Sequence, residues 1–216
     1  MPLTLERRAR AFEQAIAFDA FVDGTVNHTA AFRENHDAVE FTDADRVTLG
    51  QITDSVDVLA IVENWCPDVV ANLPIVARIA EASPHITLHV LVRGPETEDV
   101  ANAYPFEGRS HIPTYVLFGS TGEELGVIVE RTAEIGGALP AFLDAFFAKH
   151  PEIDRAEFPG NVTDDVKAEL STQSLQLRKD LRSIERSTFV RDLTRIATGD
   201  AASVASGAGI PAVAQA

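Results

Sequence analysis

One cysteine, Cys66, stands among 216 residues. A lone thiol excludes any disulfide within the chain and fits a reducing compartment. Positive charge is also scarce. Eighteen Lys and Arg face thirty-three Asp and Glu, a net charge of -15, which repels nucleic acid and anionic lipid at long range. Neither is expected as a partner. Long apolar runs are missing too, and no stretch approaches the roughly 18 residues of a membrane span. Arg7, Arg8 and Arg10 lead into Ala11-Phe12-Glu13-Gln14 with no apolar core behind them, so no signal peptide is read and the expected location is cytoplasmic. Without a secretion route, the glycosylation patterns at Asn27 and Asn161 carry no weight.

What is present is an ordinary globular composition, 45% hydrophobic and 24% charged, in a chain long enough to bury a core without staples. The acidity is uneven. Residues 1–162 carry 11 basic and 26 acidic side chains, whereas residues 163–197 carry 7 and 6. That shift marks a boundary near Pro159-Gly160.

Residues 4–21 read as a helix, since Leu5, Ala9, Phe12, Ile16 and Ala20 fall near helical spacing. A second helix is expected over 29–41, and short helix plus loop over 43–54. Val58-Leu59-Ala60-Ile61-Val62 is continuously apolar, as a strand covered on both faces must be. A helix follows over 67–82, then a strand over 86–92, a short helix over 98–104, a strand over 114–118, a hairpin return over 125–130 and a helix over 138–148. The order β-α-β-α-β-β-α implies a parallel crossover followed by an antiparallel hairpin. The expected fold class is therefore α/β, a mixed sheet of about four strands with helices on both faces. Residues 163–197 read as one long helix or a helical pair. Leu170, Leu177, Leu181, Ile184, Leu193 and Ile196 form a stripe that must pack on something, either the main domain or a second copy in a homodimer. Residues 198–216, rich in Ala, Gly and Ser, are expected to be disordered.

The chemistry concentrates in Glu63-Asn64-Trp65-Cys66-Pro67-Asp68-Val69 and in His111-Ile112-Pro113-Thr114-Tyr115. Pro67 suits the first position of a helix because it has no N–H to leave unpaired there. That makes Cys66 the N-cap, with the amides of Asp68 and Val69 facing its sulfur. These amides and the helix dipole favour a thiolate, so a pKa below the free value of about 8.5 is expected. The Asp68 carboxylate opposes that shift. His111 could approach the sulfur as a cation. His85 and His89 lack companions at ligand spacing and do not form a zinc site. Gly136-Gly137 lacks the lysine and spacing of a phosphate loop. No Ser/His/Asp signature is readable.

Residues 56–148 resemble the thioredoxin superfamily, on Trp65 before the cysteine, Pro74 eight positions after it, Ile112-Pro113-Thr114 opening a strand, and Phe118 and Gly122 in the following hairpin. The resemblance implies a cis peptide before Pro113 and a groove formed by Trp65, Pro67, Ile112 and Pro113. In that groove the backbone of Ile112 would pair with an extended substrate. It further implies a domain division into a helical extension over 1–55, a thioredoxin-like domain over 56–150, a second helical extension over 151–197 and a tail over 198–216. Two departures stand out. Val69 occupies the place of the second cysteine, and Ala60 that of the buried acid. The leading expectation is a monothiol thiol–disulfide oxidoreductase acting through Cys66 on a protein disulfide or mixed disulfide. It would use no bound cofactor and would be resolved by an external low-molecular-weight thiol. The alternative is a redox-inactive binding module. A one-cysteine peroxidase fits less well, because its Pro-x-x-x-Thr-x-x-Cys pattern is absent before Cys66.

Overall fold

The computed structural model describes residues 3–26, 28–158, 160 and 162–201, and the backbone of 203–205. Pro159 at the expected boundary, Asn27 and Asn161 of the glycosylation patterns, and residues 206–216 of the tail lie outside the described residues.

Four helices come first: α1 (Leu5–Gln14), α2 (Phe18–Asp23), α3 (Thr29–Asp37) and α4 (Asp43–Leu49). The single helix expected over 4–21 is thus two. Ala15 and Ala17 are extended, and Ile16 between them exchanges two backbone hydrogen bonds with Val90, at 2.8 and 2.9 Å. Helical periodicity could not reveal this pairing. It covers an otherwise open sheet edge, and edge pairing outcompetes the one turn of helix that residues 15–17 would have continued.

The central unit runs β1 (Val56–Val62), α5 (Pro67–Ala82), β2 (Ile86–Val92), α6 (Glu98–Asn102), β3 (Pro105–Phe106), β4 (Arg109–Ser110), β5 (Thr114–Phe118), β6 (Glu124–Val129) and α7 (Ala133–Lys149). β3 and β4 form a small separate hairpin. β1 pairs parallel with β2 and antiparallel with β5, and β5 pairs antiparallel with β6. Gly122, at φ +79°, supplies the left-handed residue of the β5–β6 turn. α7 begins five residues earlier than expected and takes in Gly136-Gly137, which lie inside the helix.

α8 (Asp164–Asp180) and α9 (Arg182–Ala197) form a helical pair that meets at Leu181. The apolar stripe packs on the same chain. Leu193 and Ile196 lie in the main core with Phe189 and Val190, and Leu170 packs against Phe146 and Phe147 of α7. Of the six stripe residues, only Ile184 is exposed, at 46%. The tail departs from the expectation of disorder at β7 (Ser203–Ala205), which pairs parallel with β6 and gives a sheet order β2-β1-β5-β6-β7.

Alternation along β1 divides the interior. Val58, Ala60 and Val62 face a core shared with α2, α3, α5 and α9, while Leu59 and Ile61 face one shared with α1 and α6. Both faces are covered, which is why this strand carries no polar residue between Val58 and Val62. No helix among the described residues is long and apolar enough to cross a membrane.

Candidate functional site

Two adjacent strands bring the site together. β1 and β5 are antiparallel neighbours with Ile61 opposite Thr114, so the end of one lies beside the start of the other. The chain leaves β1, turns through residues 63–66 and enters α5 at Pro67, with Cys66 as N-cap. β5 is entered through a cis Ile112–Pro113 peptide. Cys66 therefore meets residue 112, 46 positions further along the chain, and its thiol donates to the Ile112 carbonyl at 3.6 Å. Cys66 is 7% exposed, Ile112 is buried, Trp65 is half-buried against the main core and Pro67 is exposed.

The ionisation of Cys66 reverses the expectation from its helix position. Burial first, and the Asp68 charge second, push the thiol up to about 12. The amides of Val69 and Asp68 and the Arg131 guanidinium pull the other way and lose. The sulfur makes no capping hydrogen bond; its proton goes to Ile112 instead. Removing a small anion from water costs more here than the partial charges of one helix end return.

Asp68 anchors a buried chain of charge. Its carboxylate is bound by Arg131, just after β6, and by Arg178 of α8. Arg178 also grips Glu185 of α9 through two nitrogens, with Nε 3.2 Å from Oε2. Arg131 reaches Glu130 at 3.3 Å. Burial alone would raise the Asp68 pKa, but the charges of Arg178 and Arg131 outweigh it and hold the carboxyl below its ordinary value. Sequence reasoning missed Arg131, Arg178 and Glu185. A signal for two of them was available: Glu185 lies four residues after Leu181 and four before Phe189, and Arg178 lies three before Leu181. Charges inside an apolar helical stripe must find partners.

Beneath the sulfur, Ala60 faces Tyr115 across the β1–β5 ladder, and Val69 is fully buried. The Tyr115 hydroxyl donates to Asn72 Oδ1 at 2.5 Å, and Asn72 Nδ2 donates to the Glu130 carbonyl at 2.7 Å. Burial, then the charges of Glu185 and Asp68, keep the phenol protonated far above its ordinary range. His111 does not turn toward the sulfur. Its Nδ1 lies 2.5 Å from Glu130 Oε1 and its Nε2 lies 3.0 Å from the Phe106 carbonyl. The described residues contain no cluster of three or more His, Cys, Asp or Glu side chains placed to hold a metal ion.

Comparison with solved structures finds the same fold elsewhere. A protein of unknown function from Pseudomonas aeruginosa superposes with a TM-score of 0.60 at 20% identity, over 89% of this chain and 98% of that one. An HIV epitope scaffold superposes with a TM-score of 0.59 at 21% identity, again over 89% and 98%. Likenesses at this identity speak for the fold alone. No curated protein matches the sequence. The thioredoxin family model matches residues 15–143, which is more than half of the 216 residues. With a cysteine at the head of α5, a proline opening β5 and a mixed sheet joining them, the chain belongs to the thioredoxin family.

Proposed function

We propose that this chain works as a thioredoxin-fold binding module, with Cys66 kept as a neutral thiol in the floor of the groove. The observation that carries the reading is the state of that thiol: 7% exposed and hydrogen-bonded to the Ile112 carbonyl. Val69 supplies no second sulfur, and Ala60 supplies no proton acceptor. The residues that would recognise a peptide in this fold are in place: Trp65 is half-buried beside the site, and Pro113, itself buried, has no N–H. The Ile112 backbone, at the entry to β5, is the segment that would pair with an extended peptide, and its carbonyl already takes the Cys66 proton.

Thiolate absorbance measured against pH tests the reading. Cys66 is expected to stay protonated through neutral pH, and the protein purified without reductant is expected to carry no adduct by mass spectrometry. A thiolate at neutral pH, or a small-thiol adduct on Cys66, overturns it.

One observation favours monothiol exchange as a second reading: the sulfur remains at the head of α5, beside the Ile112 backbone. In that chemistry the Cys66 thiolate attacks a protein disulfide or mixed disulfide, forms a new S–S bond and expels the other sulfur as a thiolate. An external low-molecular-weight thiol then reduces the adduct and regenerates Cys66. Cys66→Ser separates the two readings, because a binding module keeps its partner and an exchange enzyme loses all turnover.

A further inference from the structure

We infer that Arg178 and Glu185, carried by the two C-terminal helices, are positioning residues of the Cys66 site. Together they hold the Asp68 carboxylate beside the sulfur in a charge-balanced relay, so that ionisation of the thiol is set from outside the matched thioredoxin segment. The inference rests on Cys66 being the centre of the site, as the binding-module reading has it, and adds how that centre is controlled.

The relay is continuous and buried. Arg178 is 6% exposed and Glu185 1%. Arg178 lies beyond the family match, which ends at residue 143, yet it binds the residue two positions after Cys66. Its fork is fully used, with Nη1 on Asp68 and with Nε and Nη2 on Glu185. A lysine could not occupy both carboxylates with that geometry. The charges gathered at Asp68 of α5 come from several elements: Arg131 after β6, Arg178 from α8 and, through Arg178, Glu185 from α9, with the neutral Tyr115 hydroxyl of β5 nearby. The two arginines and two carboxylates cancel. Glu130, on the far side of Arg131, adds a negative charge and is itself met by His111. The sulfur thus sees no net positive field, although two guanidinium groups converge on its neighbour. Glu185 takes up two of the three nitrogens of the Arg178 fork, and in a water-poor interior the gain or loss of one charge acts strongly on its neighbours.

The test is the rate of Cys66 alkylation by iodoacetamide against pH, in the full-length chain. Glu185→Gln removes one negative charge from the cluster and is expected to move the profile to lower pH. A profile displaced by one pH unit makes alkylation at pH 8 about tenfold faster. Arg178→Met leaves Asp68 and Glu185 less compensated and is expected to slow alkylation. The double variant Arg178→Met/Glu185→Gln removes a neutral pair and is expected to restore the wild-type profile. Simple loosening of the helices would instead speed alkylation in all three variants. A common direction of change, or no change, overturns the inference. Should a single variant fail to fold, Arg178→Lys keeps the charge without the fork and is expected to move the profile; an unmoved profile there also overturns it. A wild-type profile already centred near neutral pH would defeat the binding-module reading while leaving the relay to be judged by the variants.

Discussion

Cys66 occupies a position that promotes ionisation in an exposed helix and opposes it in this one. The helix end supplies favourable amides, but burial and Asp68 outweigh them. The position and the neighbouring residue 112 were both readable from the two short motifs. The direction of the shift was not, because it depends on how much water reaches the sulfur. Restoring the missing thiol tests the local geometry. Val69→Cys is expected to form an intrachain disulfide under mild oxidation, seen as the loss of two hydrogens by mass spectrometry and of alkylation at Cys66. Failure to form it would mean that the first turn of α5 does not present residue 69 to the sulfur. Tyr115→Phe probes the floor of the site. It leaves Asn72 Oδ1 buried without its donor, so unfolding free energy is expected to fall by about 1–3 kcal/mol in urea titration. An unchanged midpoint would show that the phenol–amide pair contributes nothing to stability.

Among the elements, those with strong periodicity were legible. β1, α5, β2 and β5 lie at the residues their apolar patterns indicate. The misreadings occurred where a tertiary partner decides the backbone. Ile16 leaves the helical path because Val90 offers a ladder, and residues 203–205 pair with β6 although their composition reads as tail. α4 shows an element held by its ends. Thr42 and Asp45 form a reciprocal capping box, and the Asp45 carboxylate also meets Arg186 of α9 at 3.0 Å. Thr42→Ala is expected to cost about 1–2 kcal/mol, read as a lower urea midpoint at an unchanged slope. A changed slope would point to wider loosening of the contact between α4 and α9.

For the whole molecule, the C-terminal helices are structural as well as electrostatic. Phe189, Val190, Leu193 and Ile196 of α9 belong to the same core as β1 and α5. A chain ending at residue 158 would expose that core and strip Arg178 from Asp68. It is expected to lose cooperative thermal unfolding and to bind a hydrophobic dye. A sharp melt in the fragment would show that the preceding residues fold alone. Acid stability follows from the same contacts. Burial would raise Asp68, but Arg178 and Arg131 lower it overall below its ordinary value of 3.8. The stabilisation is therefore present above about pH 4 and is lost as pH falls through the lower folded value. The net charge of -15 adds self-repulsion near neutrality that eases on mild acidification. Melting temperature is expected to hold or rise from pH 7 to about 5 and then to fall below about 4. A steady decline beginning near pH 7 would contradict this assignment.

The sequence by itself determined the strand and helix order and the coverage of β1 on both faces, which follow from local periodicity. The approach of Cys66 to residue 112 came from the resemblance of two short motifs to the thioredoxin superfamily, not from any period. Only the tertiary structure decided that burial pushes the thiol up, that Asp68 is clamped by an arginine 110 positions away, and that the tail adds a strand. Solvent access and the choice of charge partner depend on which distant segments arrive at the same place; helical spacing can mark a buried charge such as Glu185 but not the residue it meets.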